Sequence, residues 1–164
     1  MSRFPASRLW SLWRRLSPLP GGRWLFSRAL GLMVPYTGAL GATVVDLRRG
    51  GATVRLKERR RVRNHLRSVH AVALANLGEV TTGLAVVASL PAGARGILTA
   101  LRVEFKKKAR GVLTCSCDAD VPSDVGAPLE VEARADVRDA TGDVVAEITA
   151  TWLVGPERPR EPGA

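Results

Sequence analysis

The sequence predicts an α+β fold in which a curved antiparallel sheet wraps around one long central helix, preceded by an N-terminal helical segment. Six short segments alternate apolar and polar residues, as strands with one buried and one solvated face do. By contrast, the stretch at about 69–89 is apolar on nearly every side, so it needs protein all around it. A sheet curled around this helix meets that need within one domain of a 164-residue chain.

The N-terminal segment is rich in arginine, free of acidic residues and amphipathic. We expect a short helix near 6–16, a break at SPLPGG (17–22), and a second helix from about 23 to 33 that packs on the domain. The same composition is typical of a helix on an anionic membrane surface and of a mitochondrial presequence. We therefore treat residues 1–22 as a separate segment, with weak membrane-surface contact as an open possibility, and place the main domain at 23–154.

Turn signals separate the six predicted strands. The first two, at 39–47 and 51–58, are joined by RRGG, which is typical of a hairpin. In the clearest strand, LEVEARADVR, an apolar residue at every second position alternates with a charged residue. We expect the order β-β-α-β-β-β-β and a disordered tail. The remaining predicted segments are strands at 97–105, 112–121, 129–138 and 144–154 and the tail at 155–164.

The net charge of +10 is unevenly distributed along the chain. Residues 1–110 hold 21 basic and 4 acidic residues, whereas residues 111–164 hold 4 basic and 11 acidic ones. An anionic ligand is therefore expected to contact the first two thirds of the chain. Nucleic acid is not the expected anion, because ERRRVRNHLR and KKKAR lack aromatic stacking residues and no nucleic-acid-binding pattern is present.

Cys115 and Cys117 lie two residues apart in a predicted strand. Their side chains share one face but lie about 6.5 Å apart along the chain, at the outer limit for an unstrained disulfide. We expect two small core residues in a reducing compartment, the cytoplasm of a bacterium. Because His65 and His70 are the only histidines, the sequence predicts no metal site, and it indicates no cofactor.

Glu79 is the only ionisable residue between positions 71 and 90. A charge in such an apolar segment is costly unless it is paired or its pKa shifts so that the group is neutral. At 100° per residue, Asn76, Glu79 and either Thr82 or Gly83 lie along one line of the helix surface. The carboxylate therefore lies on a narrow polar stripe that could face a cleft.

The segment NHLRSVHAVALANLGE and the order of elements resemble the hotdog-fold thioesterases, especially the phenylacetate-pathway and 4-hydroxybenzoyl-CoA types. Those families carry an asparagine, a histidine six residues later followed by two glycines, and an aspartate or glutamate nine residues after the histidine. This chain has Asn64, His70 and Glu79 at those spacings, with Ala71 and Val72 in place of the glycines. The whole chain is also similar to an uncharacterised bacterial branch of the superfamily, through LSPLPGG, PYTG, VRNHLRSVHA and KKARG.

The resemblance implies an acyl-CoA or acyl-carrier thioesterase whose site is completed across a dimer interface. It makes Glu79 the general base or nucleophile and the backbone N–H of Ala71 the group that polarises the thioester carbonyl. A helix N-terminus suits that role because its first N–H groups are unpaired. Asn64 and His70 would complete the catalytic set, and Asn76 would contact the substrate. We accordingly expect a homodimer or a dimer of dimers, with aryl, short and long acyl chains all open as substrates.

Each candidate residue also has a structural interpretation. Glu79 could be a buried carboxylate that is hydrogen-bonded to Asn76 or Thr82, or paired with an arginine. His70 could orient the loop at the helix N-terminus, and Asn64 could begin a turn.

The basic run that follows the predicted strand at 97–105 has two interpretations as well. Lys107, Lys108 and Arg110 could form a solvated strand end, or they could bind the phosphates of coenzyme A. The missing glycine pair supports an alternative function, a non-catalytic hotdog domain that binds acyl-CoA or lipid.

Overall fold

A computed structural model describes residues 6–157 and contains a six-stranded antiparallel sheet that surrounds one long helix. The strand order is β1-β2-β4-β5-β6-β3, so β1 and β3 are the two edges. The predicted fold is confirmed. Its elements in chain order are α1 (Ala6–Leu16), α2 (Gly22–Met33), α3 (Pro35–Leu40), β1 (Thr43–Arg48), β2 (Gly51–Lys57), a 3-10 turn (Arg60–Val62), α4 (Ala71–Ser89), β3 (Ala94–Phe105), β4 (Val112–Asp118), β5 (Leu129–Arg138) and β6 (Val144–Pro156).

The central helix α4 contacts all six strands of the sheet. Within residues 6–157 it is the one helix long and apolar enough to cross a membrane by length and composition, yet most of it is buried inside the protein. The sheet therefore covers the apolar surface that the sequence left without a partner.

Glycines bring α4 close to strand β6. A Cβ on Gly78 would overlap the side chain of Ile148, and a Cβ on Gly83 would lie 2.9 Å from the Trp152 ring. Because β6 side chains fill the space above both glycines, any larger residue there would push the helix away from the sheet.

Helices α1 and α3 contact the side of α4 that the sheet leaves open, and α2 packs against α1, α3 and β1. Trp13 of α1 is only 5% exposed and packs edge-on against Phe26 of α2, with ring centroids 5.0 Å apart. Leu9 of α1 is also buried. The predicted pair of N-terminal helices is present, and α1 contributes side chains to the hydrophobic core.

The first strand begins later than the sequence indicated. It was predicted at 39–47, but α3 continues to Leu40 and β1 starts at Thr43. Pro35 occupies the first turn of α3, where its fixed φ and missing N–H are tolerated. Gly41 ends α3 with a left-handed φ of +62°. A helix of six residues is too short to show a periodic pattern, which is why the sequence did not predict it.

The chain termini differ slightly from expectation as well. Strand β6 continues to Pro156, into the segment predicted as a disordered tail. The rest of that prediction falls on residues 158–164, which lie outside the described residues, as do residues 1–5.

The two cysteines on β4 are buried free thiols. Burial raises the pKa of both Cys115 and Cys117 to about 12, so neither is a thiolate at neutral pH. They act as small core residues, as the sequence indicated.

Candidate active site

The loop before α4 is organised by the side chain of Asn64. Its Oδ1 accepts hydrogen bonds from the backbone N–H groups of Leu66 and Ser68 and from the Ser68 hydroxyl. Arg67 in the same loop has a left-handed φ of +53°, and its N–H donates to the Asn64 carbonyl oxygen. Asn64 therefore shapes the turn, and within residues 6–157 only its amide NH₂ group is left for a ligand.

His70 is the N-cap residue of α4. Its Nδ1 accepts a hydrogen bond of 3.1 Å from the backbone N–H of Val72. A nitrogen that accepts this bond carries no proton, so the neutral imidazole has its proton on Nε2. The geometry gives His70 a structural role at the start of the helix and leaves only Nε2 available to a substrate.

The backbone N–H of Ala71 has no hydrogen-bond partner in the part of the chain that the structure describes. Ala71 is exposed and is the first residue of a 19-residue helix. The N–H groups at this end carry the positive end of the helix dipole. The Ala71 N–H can therefore donate to an oxygen that becomes negatively charged.

A surface depression of about 260 Å³ lies beside this N–H group. Asn64 and Ala71 line one side of it, and Phe105 with residues 106–108 lines the other. The fold therefore brings the basic run after β3 to the N-terminus of α4, although the two are far apart in the sequence.

The cations of this run are not equivalent. Lys107 forms ion pairs with Asp139 at 2.8 Å and with Asp143 at 2.5 Å, and these bonds raise the pKa of its ammonium group. Its charge is therefore largely compensated. Arg110 donates from Nε to a backbone carbonyl of the Asn64 loop at 3.2 Å, and Lys108 has no ion pair among the described residues. Lys108 and Arg110 are the better candidates for an anionic ligand.

Glu79 lies in a different place, an apolar cavity of about 240 Å³ between α4 and the N-terminal helices. Burial raises the pKa of its carboxyl group, and neither a hydrogen bond nor a nearby charge within residues 6–157 offsets that effect. The carboxylate is therefore unpaired in an apolar setting. The cavity wall includes Leu9, Leu30, Met33, Thr37, Val80 and Gly83.

Neither of the expected structural partners of Glu79 bonds to its carboxylate among the described residues. The Thr82 hydroxyl donates to the backbone carbonyl oxygen of Glu79 at 3.1 Å rather than to the carboxylate. Asn76 lines a third depression, of about 230 Å³, together with His70 and Arg61. Its Oδ1 is buried without a hydrogen-bond partner in the described structure, so it can accept a bond from a ligand.

The candidate residues thus line three neighbouring depressions around α4 within one chain. From Ala71 to Glu79 the helix rises about 12 Å, at 1.5 Å per residue. Both groups cannot act on the same carbonyl from one chain, so a site that uses them together requires a second chain.

Two arginines that the sequence did not single out line a further cavity of about 390 Å³. Arg59 and Arg61 belong to ERRRV, at the start of the basic stretch ERRRVRNHLR. Within residues 6–157 no group of three or more histidine, cysteine, aspartate or glutamate side chains could hold a metal ion.

Comparisons with known proteins give the family and the fold. A family model described as a domain of unknown function, DUF4442, matches residues 22–154. A genomics protein designated APC5556 is 28% identical, with a TM-score of 0.78 over 90% of this chain and 98% of that one. The conserved protein PA5202 from Pseudomonas aeruginosa is 25% identical, with a TM-score of 0.64 over 73% of this chain and 92% of that one.

A third solved structure supports the fold alone. The thioesterase HI1161 from Haemophilus influenzae is 13% identical, with a TM-score of 0.67 over 77% of this chain and 86% of that one. No curated protein gives a significant match.

Proposed function

Because this chain belongs to the DUF4442 family and has the hotdog fold found in several thioesterases, we propose that it hydrolyses acyl-CoA or acyl-carrier thioesters. The observation that carries the proposal is Glu79, an unpaired carboxylate in an apolar cavity on the central helix. A protein that needed only stability would place an apolar residue there.

The proposed chemistry uses the raised pKa of Glu79. A carboxylate with a raised pKa is a stronger base, so it can take a proton from a water molecule as that water attacks the thioester carbonyl carbon. A C–O bond forms and the C–S bond breaks. The proton held by Glu79 then passes to the departing thiolate, which leaves a carboxylic acid and a free thiol.

The free N–H of Ala71 is the proposed donor to the carbonyl oxygen. Charge develops on that oxygen as water attacks, and a donor fixed at a helix N-terminus stabilises it without reorganisation. Ala71 offers the same N–H as the glycine of the hotdog thioesterases that the sequence resembles, but its methyl group restricts how closely a thioester approaches.

A shared site requires two chains, and the sheet has a suitable edge. Strand β3 pairs only with β6 in the described structure, and its exposed side includes the apolar residues Ile97, Leu101 and Phe105. Exposed edges of this kind are usually covered in natural proteins. We therefore propose a homodimer, or a dimer of dimers, in which Glu79 of one chain serves the carbonyl bound at the partner's helix N-terminus.

The basic residues at the end of β3 are the proposed contact for the substrate's phosphates. Lys108 and Arg110 lie close to the helix N-terminus and are less compensated than Lys107. Coenzyme A and a phosphopantetheine carrier both offer phosphate groups to such cations.

A second candidate function is binding of acyl-CoA or lipid without hydrolysis. The observation in its favour is that Ala71 and Val72 replace the glycine pair of the thioesterases that the sequence resembles, and Val72 is 53% exposed and lines the depression of Asn76. Side chains at these positions narrow the approach to the helix N-terminus.

The test is a screen of acyl-CoA esters with detection of free thiol, run with wild-type protein and Glu79→Gln. We expect turnover of at least one ester, and a loss of roughly 10²- to 10⁴-fold in Glu79→Gln, the usual contribution of a general base. Glu130→Gln, the same change on an exposed face of β5, is the matched control and should keep full activity.

Two outcomes would contradict the proposal. Full activity of Glu79→Gln per folded molecule would remove Glu79 from the mechanism. Tight binding of acyl-CoA without release of thiol from any ester would favour the non-catalytic alternative. Light scattering at micromolar concentration tests the shared site separately, since a monomer cannot form it.

A further inference from the structure

A further cavity lies apart from the candidate catalytic groups. It has a volume of about 390 Å³ and lies between helices α2 and α3 and the β1–β2 hairpin. Leu30, Thr37 and Val80 separate it from the cavity of Glu79, since they line both. Glu79 itself does not line it, and neither does Ala71. Its volume lies within the range of small-molecule sites, roughly 300–1,000 Å³.

Two guanidinium groups converge at one side of this cavity. The terminal nitrogens of Arg59 and Arg61 both occupy the space that a Cβ on Gly41 would take. No aspartate or glutamate within residues 6–157 forms an ion pair with either of them. Two adjacent cations without an acidic neighbour repel one another, so an anion between them would relieve an unfavourable arrangement.

Capping of α3 accounts for only one of the two arginines. Arg59 donates to the carbonyl oxygens of Leu40 at 3.3 Å and of Gly41, which are exposed by the end of that helix. Its Nε is nevertheless buried without a partner in the described structure. Arg61 makes no such bonds, although it lies beside the same glycine. Helix capping therefore accounts neither for the position of Arg61 beside Gly41 nor for the burial of the Arg59 Nε without a partner.

The rest of the cavity wall is largely apolar. It also includes a third cation, Arg28, and the hydroxyls of Ser27, Thr37 and Thr43. The Ser27 hydroxyl is already engaged, because it donates to the Arg23 carbonyl oxygen and accepts a bond from the Val44 N–H. The cavity thus combines a cationic end with an apolar body. The apolar lining includes Trp24, Leu30, Leu32, Val44, Val54 and Val80.

We propose that this cavity binds an apolar chain that carries an anionic head group, with Arg59 and Arg61 holding the head and the α2–hairpin wall holding the chain. The head is a carboxylate or a phosphate, the two anions that guanidinium groups bind in pairs of parallel hydrogen bonds. The proposal does not depend on thioester hydrolysis, because the candidate catalytic groups lie outside this cavity.

The test is calorimetric titration of the full chain with octanoate, octyl phosphate and 1-octanol, each below its aggregation concentration. We expect at least one of the two anions to bind, and 1-octanol to bind at least about tenfold more weakly, because it lacks the charge. The ratio of octanoate to octyl phosphate affinity identifies the head group.

Variants of neighbouring arginines separate a specific site from general attraction to a basic protein. Arg61→Gln should weaken binding of the preferred anion by about tenfold or more, with Arg61→Lys intermediate. Arg60→Gln makes the same change in net charge at an exposed residue that does not line the cavity, and should leave Kd within about twofold. Ala42→Leu, which places a larger side chain in the cavity lining, should weaken binding through the chain rather than the head.

Three results would overturn the proposal. They are equal binding of 1-octanol and the anions, equal effects of Arg61→Gln and Arg60→Gln, and no binding of either anion by wild-type protein. Melting temperatures of all variants check folding, and Ala42→Leu provides an independent test if Arg61→Gln is unstable.

Discussion

The polar side chains on one side of α4 have hydrogen-bond partners, whereas those on the other side have none within residues 6–157. On the side facing the sheet, Thr81 and Thr82 are fully buried, and each hydroxyl donates to a backbone carbonyl in the preceding turn, at 2.6 and 3.1 Å. On the side facing the N-terminal helices, the Glu79 carboxylate and the Asn76 Oδ1 have no partner among the described residues. The two arrangements lie within two turns of one helix.

This difference distinguishes polar groups that are compatible with a stable fold from polar groups that are suited to binding a ligand. A buried hydroxyl that bonds to its own helix is satisfied before any neighbour approaches. A buried polar group without a partner costs free energy, and such groups are concentrated at functional sites. The sheet side of α4 is therefore a packing surface, and the side with Asn76 and Glu79 is where a ligand would compensate the unpaired groups.

The largest expected effect comes from disrupting the packing surface. Gly78→Val would place a branched side chain where Ile148 already lies, so α4 would have to move away from β6. We expect a loss of about 3 kcal/mol or more in the free energy of unfolding, measured by urea denaturation.

A double-mutant cycle provides the control for this prediction. Gly78→Val combined with Ile148→Ala should be less destabilised than the two single effects added together, because the alanine makes room for the valine. Additive effects would show that Gly78 and Ile148 are not in contact.

The opposite side is tested through the pH dependence of stability in Glu79→Gln. Burial raises the pKa of Glu79 above its ordinary 4.5, so the folded state favours the protonated carboxyl. Glu79 therefore adds stability below its unfolded pKa and this contribution is lost as the pH rises through the folded pKa. Wild-type protein should lose stability over that window relative to Glu79→Gln.

The measurement is the difference in melting temperature between the variant and wild type from pH 4 to pH 8. We expect the melting temperature of Glu79→Gln to rise relative to wild type as the pH increases through the folded pKa of Glu79, by an amount that solvent screening of the half-buried carboxylate reduces. Glu130→Gln should show no such trend. A difference that shrinks with rising pH would mean that a cation pairs with Glu79.

The sequence was sufficient for the framework because its signals are local and repeated. Alternation along 129–138 and the apolar run at about 69–89 gave the strand and the central helix to within two residues of their bounds. The spacing of Asn64, His70 and Glu79 identified the segment that surrounds the helix N-terminus.

The sequence was insufficient to predict side-chain contacts where one residue has several possible partners. Thr82 was a candidate partner for the Glu79 carboxylate, but a threonine inside a helix bonds most readily to a carbonyl of its own preceding turn. The pairing of Arg59 with Arg61 over Gly41 depends on the end of α3, a helix that shows no periodic pattern. Such contacts depend on tertiary packing and are not encoded in spacing.

A smaller effect is expected at the N-cap of α4, which belongs to neither side of the helix. His70→Ala removes the acceptor for the Val72 N–H and should cost about 1 kcal/mol in the free energy of unfolding. His70→Asn replaces the imidazole with a side chain that caps well, so it should keep the stability of wild type.

The same pair of variants separates the structural role of His70 from a catalytic one. If the imidazole only caps the helix, thioester turnover in His70→Asn should equal that of wild type once folding is matched. A loss of turnover of about tenfold or more in His70→Asn, at unchanged stability, would show that Nε2 contacts the substrate.

The smallest effect is expected for Thr81→Val on the packing surface. The two side chains have nearly the same shape, and the Thr81 hydroxyl donates to a carbonyl that the helix already uses. Its removal leaves no backbone group unpaired, and a methyl group fills the same space, so we expect a change below about 1 kcal/mol in urea denaturation. A loss above about 2 kcal/mol would show that the hydroxyl bonds across to the sheet, most directly to the Cys115 thiol beside it. Thr81 would then resemble Thr82, whose hydroxyl oxygen accepts a bond of 3.4 Å from Trp152 Nε1 of β6, and both threonines of the sheet side would have tertiary partners.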